Sequence, residues 1–274
     1  MRIARIATEH GPVPVVQQGL EWAEVRDPFA DNPVLTGPRH PVDSARLLAP
    51  VQPLVVLGMA HNGAPGDRDL PRQAFVKSPR TVIGPDDPIT VDEGLGQVNI
   101  EGELAVVIRR TSRHLSAEQV PDAILGYTIG NDVTAVEQIA LDEKLTQAKH
   151  GDGFTPLGPW IETDLDSATV PISVAANGKP AAHATTAQLA WNITEQLVYL
   201  TTYLTLGPGD VVLTGAPGTF VAVKPGDDAQ ITLGGIGTLS NPVRSRQPAT
   251  TNRHQPQSPQ GRHMNLEPAP RATA

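Results

Sequence analysis

Glycine and proline recur so often along this chain that long helices have little room. There are 25 glycines and 27 prolines among 274 residues, and both residue types interrupt helices and favour turns. Between them lie apolar runs of strand length, which predicts many short strands joined by turns. PLVVLG reads as a buried strand from Leu54 to Leu57, and NIEGELAVVIRR, alternating from Ile100 to Ile108, is the strongest strand. GYTIGNDV, VVLTG, AQITL and TLSNPV add further strands, and VPISVAANGKP is a strand entering an Asn-Gly turn. Helical candidates are fewer. They are SAEQVPDAIL, started or kinked at Pro121, TAVEQIALDEKLTQA, read as an amphipathic helix capped by Thr134, and TTAQLAWNITEQLVYLTTYLTL, the longest. Strands outnumber helices without regular interleaving, so the expected class is mainly β, mixed α+β, not a doubly wound α/β sheet.

Three segments follow from this pattern. Residues 1–50 read as a small N-terminal module: three strands (RIARIA, VPVVQQG, LEWAEV), a Pro-rich linker (DPFADNPVLTGPRHP) and one helical turn (SARLLAP) stopped by Pro50. About fifty residues bury too little core to stand alone, so the module is expected to lean on the body. Residues 51–244 form the main domain. Residues 245–274 are polar, Pro-rich and almost without Val, Ile or Phe, and they read as a disordered tail.

Hydrophobic residues make up 39% of the chain and aromatics only 4%, so the core is expected to be mostly Val, Ile, Leu and Ala. The net charge of −8, with no stripe of Lys or Arg, argues against nucleic acid as a partner. The absence of cysteine excludes disulfides, thiolate zinc sites and a cysteine nucleophile, and it fits a cytoplasmic protein. No signal-peptide run opens the sequence and no stretch approaches a membrane span, so no membrane is expected as a partner. No G-x-S-x-G elbow, P-loop or dinucleotide-binding glycine motif follows a predicted strand.

The sharpest local feature is Glu101-Gly102-Glu103 inside the strongest strand. Side chains two apart on a strand share a face, so two carboxylates stand side by side, followed on that face by Ala105 and Val107. Like charges at that distance repel, and a cation between them removes the conflict. Asp132, at the end of the next strand, can close a third side. An all-carboxylate set suits Mg²⁺ or Mn²⁺, and also Ca²⁺, better than zinc. The competing reading of the same pattern is a solvated strand face that keeps an edge soluble.

Seven stretches in order decide between the two. From about Leu57 to Val243, the segments FVKSPRTVIGP, NIEGELAVVI, GYTIGNDVTA, AKHGDGFTPLGPW, VAANGKP, LGPGDVVLTGAPG and IGTLSNPV resemble the fumarylacetoacetate hydrolase family. The resemblance implies a mixed β-sandwich roll, a homodimer and a small-molecule substrate. It implies that Glu101, Glu103 and Asp132 bind the metal and that Lys149 faces the substrate beside it. It places Lys77 at the site's edge, Thr186 against the substrate's oxygen end and His61 as a water-activating base. These roles are chemically coherent. A 2-oxo acid or β-dicarbonyl chelates a metal through two oxygens, the ion draws off charge as an enolate develops, and a lysine stabilises the same charge.

Three departures from the family pattern bear on the reaction. Ala64 stands where a lid glutamate follows the histidine by three residues, and the glycines and proline of His61–Asp67 are expected to break the lid helix. Asp67, Asp69 and His150 are candidate replacements. Val136 and Ile139 stand where arginine and glutamine are common, and Ala216 where threonine is typical. The metal cradle is thus intact while the water-activating and substrate-holding parts differ. Decarboxylation, isomerisation or hydration needs less of the missing pair than C–C hydrolysis does. A non-catalytic binding or scaffold protein that keeps the cradle is the alternative.

Overall fold

The computed structural model describes residues 1–246. In chain order its strands are β1 (Arg2–Thr8), β2 (Gly11–Gln18), β3 (Glu21–Val25), β4 (Leu35–Pro41), β5 (Leu47–Leu48), β6 (Val56–Ala60), β7 (Gln73–Lys77), β8 (Val82–Ile83), β9 (Ile89–Val91) and β10 (Val98–Ile108). They continue with β11 (Ile124–Asn131), β12 (Thr134–Ala135), β13 (Thr155–Glu162), β14 (Pro171–Ala176), β15 (Lys179–Thr185), β16 (Val211–Leu213), β17 (Phe220–Val223), β18 (Asp228–Leu233) and β19 (Gly237–Ser245). The helices are α1 (Val120–Ala123), α2 (Thr146–Lys149) and α3 (Ile193–Tyr203).

Fourteen strands share one large sheet, whose main path runs β4-β3-β2-β1-β13-β11-β10-β16-β6-β7, and the other five form a sheet ordered β15-β14-β18-β19-β9. The class is mainly β, as the turn-rich sequence predicts. The two sheets bury a common core in which Ile100, Leu104, Val106 and Ile108 of β10 meet Ile172 and Val174 of β14 and Ile231 of β18. Gly102 lets them close: a Cβ there would lie 2.7 Å from Val174 Cγ2 and 3.0 Å from Ile231 Cγ2.

Strand β10 serves two environments. One face (Val98, Ile100, Leu104, Val106, Ile108) lies in the inter-sheet core. On the other, Ala105 and Val107 pack in a second cluster with Ile3, Val16 and Ile161, while Gln97, Asn99, Glu101 and Glu103 line a cavity. The N-terminal strands belong to the same large sheet. Ile3 of β1 pairs with Ile161 of β13, and Trp22 packs on Trp160 with ring centroids 6.3 Å apart.

Several expected elements take another form. The stretch read as a linker contains β4, which pairs with β3 at the sheet edge, and the predicted turn of helix before Pro50 contains β5, pairing Leu47 and Leu48 with Ile6 and Arg5. Pairing with β1 supplies backbone partners that an isolated helical turn lacks. Leu54 lies outside β6 and is exposed. The helix predicted from Thr134 is broken into β12, a 3-10 stretch (Val136–Leu141) and α2. Thr134 and Ala135 pair with Asn99 and Val98 instead, and Leu145, at φ 62°, interrupts the helical path. The longest predicted helix shortens to α3, because Asn192 caps it by accepting from Glu195 N–H at 3.0 Å. Two residues of the segment read as a tail are ordered in the structure. Ser245 still pairs with Val91, and Arg246 forms ion pairs with Asp92 and Asp152. The rest of the segment read as disordered, residues 247–274, lies outside the described residues.

Candidate metal centre

Register brings the three acids together. Gly102 lies opposite Asn131 in the β10–β11 pair, so Asp132, one residue on, faces Glu101, and its N–H donates to the Glu101 carbonyl at 3.0 Å. The Asn131 side chain accepts from Glu101 N–H at 3.0 Å and fixes this turn from the other side. The carboxylate oxygens of Glu101, Glu103 and Asp132 lie within 4.8 Å of one another. Glu103 is only 2% exposed and Asp132 likewise, which removes the solvated-face reading of the Glu-x-Glu pattern.

Two lysines answer these charges. Lys77 is fully buried and pairs with Asp132 Oδ1; its ammonium also donates to the carbonyls of Phe154 and Val133 at 2.8 and 3.3 Å. Where a place at the site's edge is expected, it lies behind the acids, against Asp132, and is not among the cavity-lining residues. Lys149 donates to Asp132 Oδ2 at 2.5 Å and to Thr134 Oγ1 at 2.6 Å, and lies 3.7 Å from Glu101. It lines the cavity, with its Nζ 4.8 Å from the centre of the Phe75 ring. The ring fits there because Gly58, its partner across β6 and β7, carries no Cβ, which would lie 2.3 Å from Phe75.

Titration follows from burial and these pairs. Burial pushes Glu103 well above the usual carboxylate range, and neighbouring Asp132 pushes it further, against a 2.7 Å hydrogen bond from Gly215 N–H. Burial also raises Glu101, although Lys149 opposes it. Burial alone would raise Asp132 too, but the Lys149 and Lys77 ammoniums outweigh it and hold it low. Lys77 is pulled down by burial, whereas Lys149 is raised because Asp132 and Glu101 overcome its desolvation.

The three acids and Lys149 sit at one cavity of about 930 Å³, which His61, Asp67, Gln97, Asn99, Val136, Ile139, Glu143 and Phe220 also line. His61 is exposed, at φ 52°, and no hydrogen bond to its ring exists among the described residues. Its loop is tied down next door. Asn62 accepts from Trp191 N–H at 2.6 Å and donates to the carbonyls of Thr214 and Trp191. The lid segment forms a five-residue 3-10 helix (Pro65–Asp69) starting on Pro65, whose missing N–H is harmless in a first turn. Asp67 accepts from the N–H groups of Gly63 and Ala64 at 2.8 and 3.1 Å, so it caps this turn. His150 is turned to the Thr146 carbonyl. None of Asp67, Asp69 and His150 is bonded to His61 among the described residues.

Thr186 stands apart from the acids. Its hydroxyl donates to the Ser167 carbonyl and accepts from Val170 N–H, both at 2.8 Å, and it does not line the cavity. Where contact with substrate is expected, the hydroxyl instead ties Ser167 and Val170 of its own loop. Conversely, the residue-by-residue reading passed over Gln97 and Asn99, which continuing the period of two back from Glu101 would have found. Gly215, whose N–H holds Glu103, sits at φ 105° in a close approach to Asn62, which the GAPG stretch signals only as a turn.

The donor set fits a hard divalent cation. Three carboxylates of one site supply oxygen ligands, and two ammoniums cannot balance them. Glu101, Glu103 and Asp132 would hold the ion.

Comparison with known proteins agrees with this geometry. The family profile described as fumarylacetoacetate (FAA) hydrolase C-terminal matches residues 48–244. The chain belongs to the fumarylacetoacetate hydrolase family. A second profile, Rv2993c-like N-terminal, matches residues 1–50. Protein Rv2993c of Mycobacterium tuberculosis is 38% identical over 262 residues, covering 89% of this chain and 98% of that protein. The crystal structure of 5-carboxymethyl-2-hydroxymuconate delta-isomerase from Mycobacterium smegmatis superposes with a TM-score of 0.84 at 38% identity, covering 90% of this chain and 100% of that one. The 4-hydroxyphenylacetate degradation bifunctional isomerase/decarboxylase of Escherichia coli is 33% identical over 186 residues, or 68% of this chain and 42% of that longer protein. The chain is thus an enzyme of a family that includes isomerases and decarboxylases. No helix among the described residues is long and apolar enough to cross a membrane.

Proposed function

We propose that this chain is a divalent-metal-dependent enzyme that acts on a small 2-oxo acid or β-dicarbonyl compound through an enolate. The observation that carries the reading is the convergence of Glu101, Glu103 and Asp132 within 4.8 Å at a cavity that Lys149 shares. When bound, a Mg²⁺ or Mn²⁺ ion would polarise paired substrate oxygens and lower the cost of the developing negative charge. Lys149, fixed by Asp132 and Thr134, presents a preorganised positive charge to the same oxygens. Lys77 holds the Asp132 carboxylate ionised and oriented from behind. His61, at the cavity wall, is placed to move a proton to or from a substrate carbon or oxygen.

Water-dependent C–C hydrolysis is the less favoured reaction, because no carboxylate is bonded to His61 and Asp67 is engaged in capping its own turn. Decarboxylation or tautomerisation of a 2-oxo acid needs the metal, Lys149 and one proton carrier, and all three requirements have a residue here. A non-catalytic scaffold would have no use for a lysine held between the acids and the cavity. A homodimer in the cytoplasm belongs to the same reading, and light scattering on the purified protein tests the dimer.

The test is a turnover assay of purified protein with Mg²⁺ or Mn²⁺ against acylpyruvates, oxaloacetate and β-diketones. Metal-dependent turnover of at least one, abolished in Glu103→Ala, is expected. Metal-independent turnover, or full activity in Glu103→Ala, would remove the triad from the mechanism.

A further inference from the structure

The cavity lining offers very little positive charge. Its sole Lys or Arg among the described residues is Lys149, and that ammonium is engaged by Asp132. Along β10 the polar row changes character with distance from the acids. Glu103 and Glu101 are followed on the same face by Asn99, then Gln97 at the rim. Each step of two residues covers about 7 Å, so Asn99 stands one step beyond the carboxylates, within reach of a short carbon tail.

Asn99 is 8% exposed, and its Oδ1 is occupied by Gln97 Nε2 at 2.9 Å. Its amide NH₂ has no protein acceptor among the described residues, so it remains to donate to a ligand. Gln97 is backed by an acid, because its N–H donates to Glu137 Oε1 at 3.2 Å. Glu143 adds another carboxylate to the cavity lining, and Val136, Ile139 and Phe220 supply apolar wall. A carboxylate at this end would face neutral amides and hydrocarbon, with no Lys or Arg of the cavity lining beside it. His61, the other basic group of the cavity, lies on the loop after β6 beside Asp67.

From these placements we infer that the substrate carries a single carboxylate, at the metal end, and an uncharged tail with a hydrogen-bond acceptor that meets Asn99. The inference rests on the proposed metal-bound 2-oxo acid reading and sharpens it. Charge balance points the same way. Three carboxylates against two ammoniums leave one negative charge, and a divalent cation converts it to one positive charge, which a monoanion neutralises. A dianion would bring a second charge to a cavity whose lining already carries Glu143.

Isothermal titration calorimetry on the Mn²⁺-loaded protein separates the two layers. Oxalate probes the head alone, 2,4-dioxopentanoate adds a neutral keto tail, and its analogue with a terminal carboxylate adds the second charge. The expected order is metal-dependent oxalate binding, with the neutral-tailed ligand at least about tenfold tighter than the dicarboxylate, since juxtaposed like charges cost a kcal/mol or more. Val136→Arg should tighten the dicarboxylate about tenfold and leave oxalate unchanged, while Asn99→Leu should weaken only the neutral-tailed ligand. Intact oxalate binding with the dicarboxylate equal or tighter in the wild type overturns the inference alone. Failure of oxalate to bind with metal present overturns the metal reading and this inference with it.

Discussion

Replacing Lys77 with methionine tests the electrostatic base of the site. The Lys77 ammonium is fully buried, is paired with the equally buried Asp132 and donates to two carbonyls. Removing one partner of a buried pair typically costs about 3–5 kcal/mol, because the other charge is left desolvated and uncompensated. Asp132 keeps Lys149 at 2.5 Å, and methionine refills most of the volume, so the lower end, about 3 kcal/mol, is the expected loss. For a body of this size that corresponds to a fall of roughly 6–12 °C in Tm. Chemical and thermal denaturation in EDTA measure it without help from a metal. Added Mn²⁺ should recover part of the loss, since the cation supplies charge to the same carboxylate. The double variant Lys77→Met/Asp132→Asn should be more stable than the sum of the two single losses, with a coupling of about 2–3 kcal/mol. A Lys77→Met loss below about 1 kcal/mol, or strict additivity in the double variant, would refute the claim that this ammonium exists to hold Asp132 ionised.

The remaining predictions concern the acids, the proton carriers and the sheet contact. Glu103 has a folded pKa raised above its unfolded value of about 4.3, so its contribution to metal-free stability is present below that value and is lost as pH rises through the folded pKa. In EDTA, Glu103→Gln should therefore match wild type near pH 4 and exceed it in Tm near pH 8, while Mn²⁺ should stabilise only wild type; a parallel pair of curves would count against the raised pKa. With a substrate in hand, Lys149→Ala should lower kcat by at least about a hundredfold, as loss of a preorganised charge stabiliser does, and His61→Ala by about tenfold; the reverse order in steady-state kinetics would return hydrolysis to first place. Gly102→Ala should cost about 1–3 kcal/mol by overpacking against Val174 and Ile231, and an unchanged Tm would mean that the sheets separate more easily than their packing indicates.

The sequence by itself determined the strand-rich class, the shared face of Glu101 and Glu103 and, through seven ordered motifs, the family. These properties are local or are carried by order along the chain. A period of two is fixed by the pleat, and turns are fixed by Gly, Pro and the Asn177-Gly178 pair, whose φ angles of 54° and 71° suit a tight hairpin. Only the tertiary structure decided the roles that depend on residues far apart in the chain. Lys77 reads as a lysine at the site's edge, and only Asp132 after β11 and the Phe154 carbonyl show it buried behind the acids. The partners of the Thr186 hydroxyl, Ser167 and Val170, likewise come from a fold that no local pattern gives. The helix predicted from Thr134 fails because β10 offers its backbone better partners than one helical face could, an offer that no local pattern announces. Burial likewise decided against the solvated reading of Glu-x-Glu: the same carboxylates on an open strand would be solvated, whereas enclosed beside Asp132 they repel one another, a conflict that a cation would relieve.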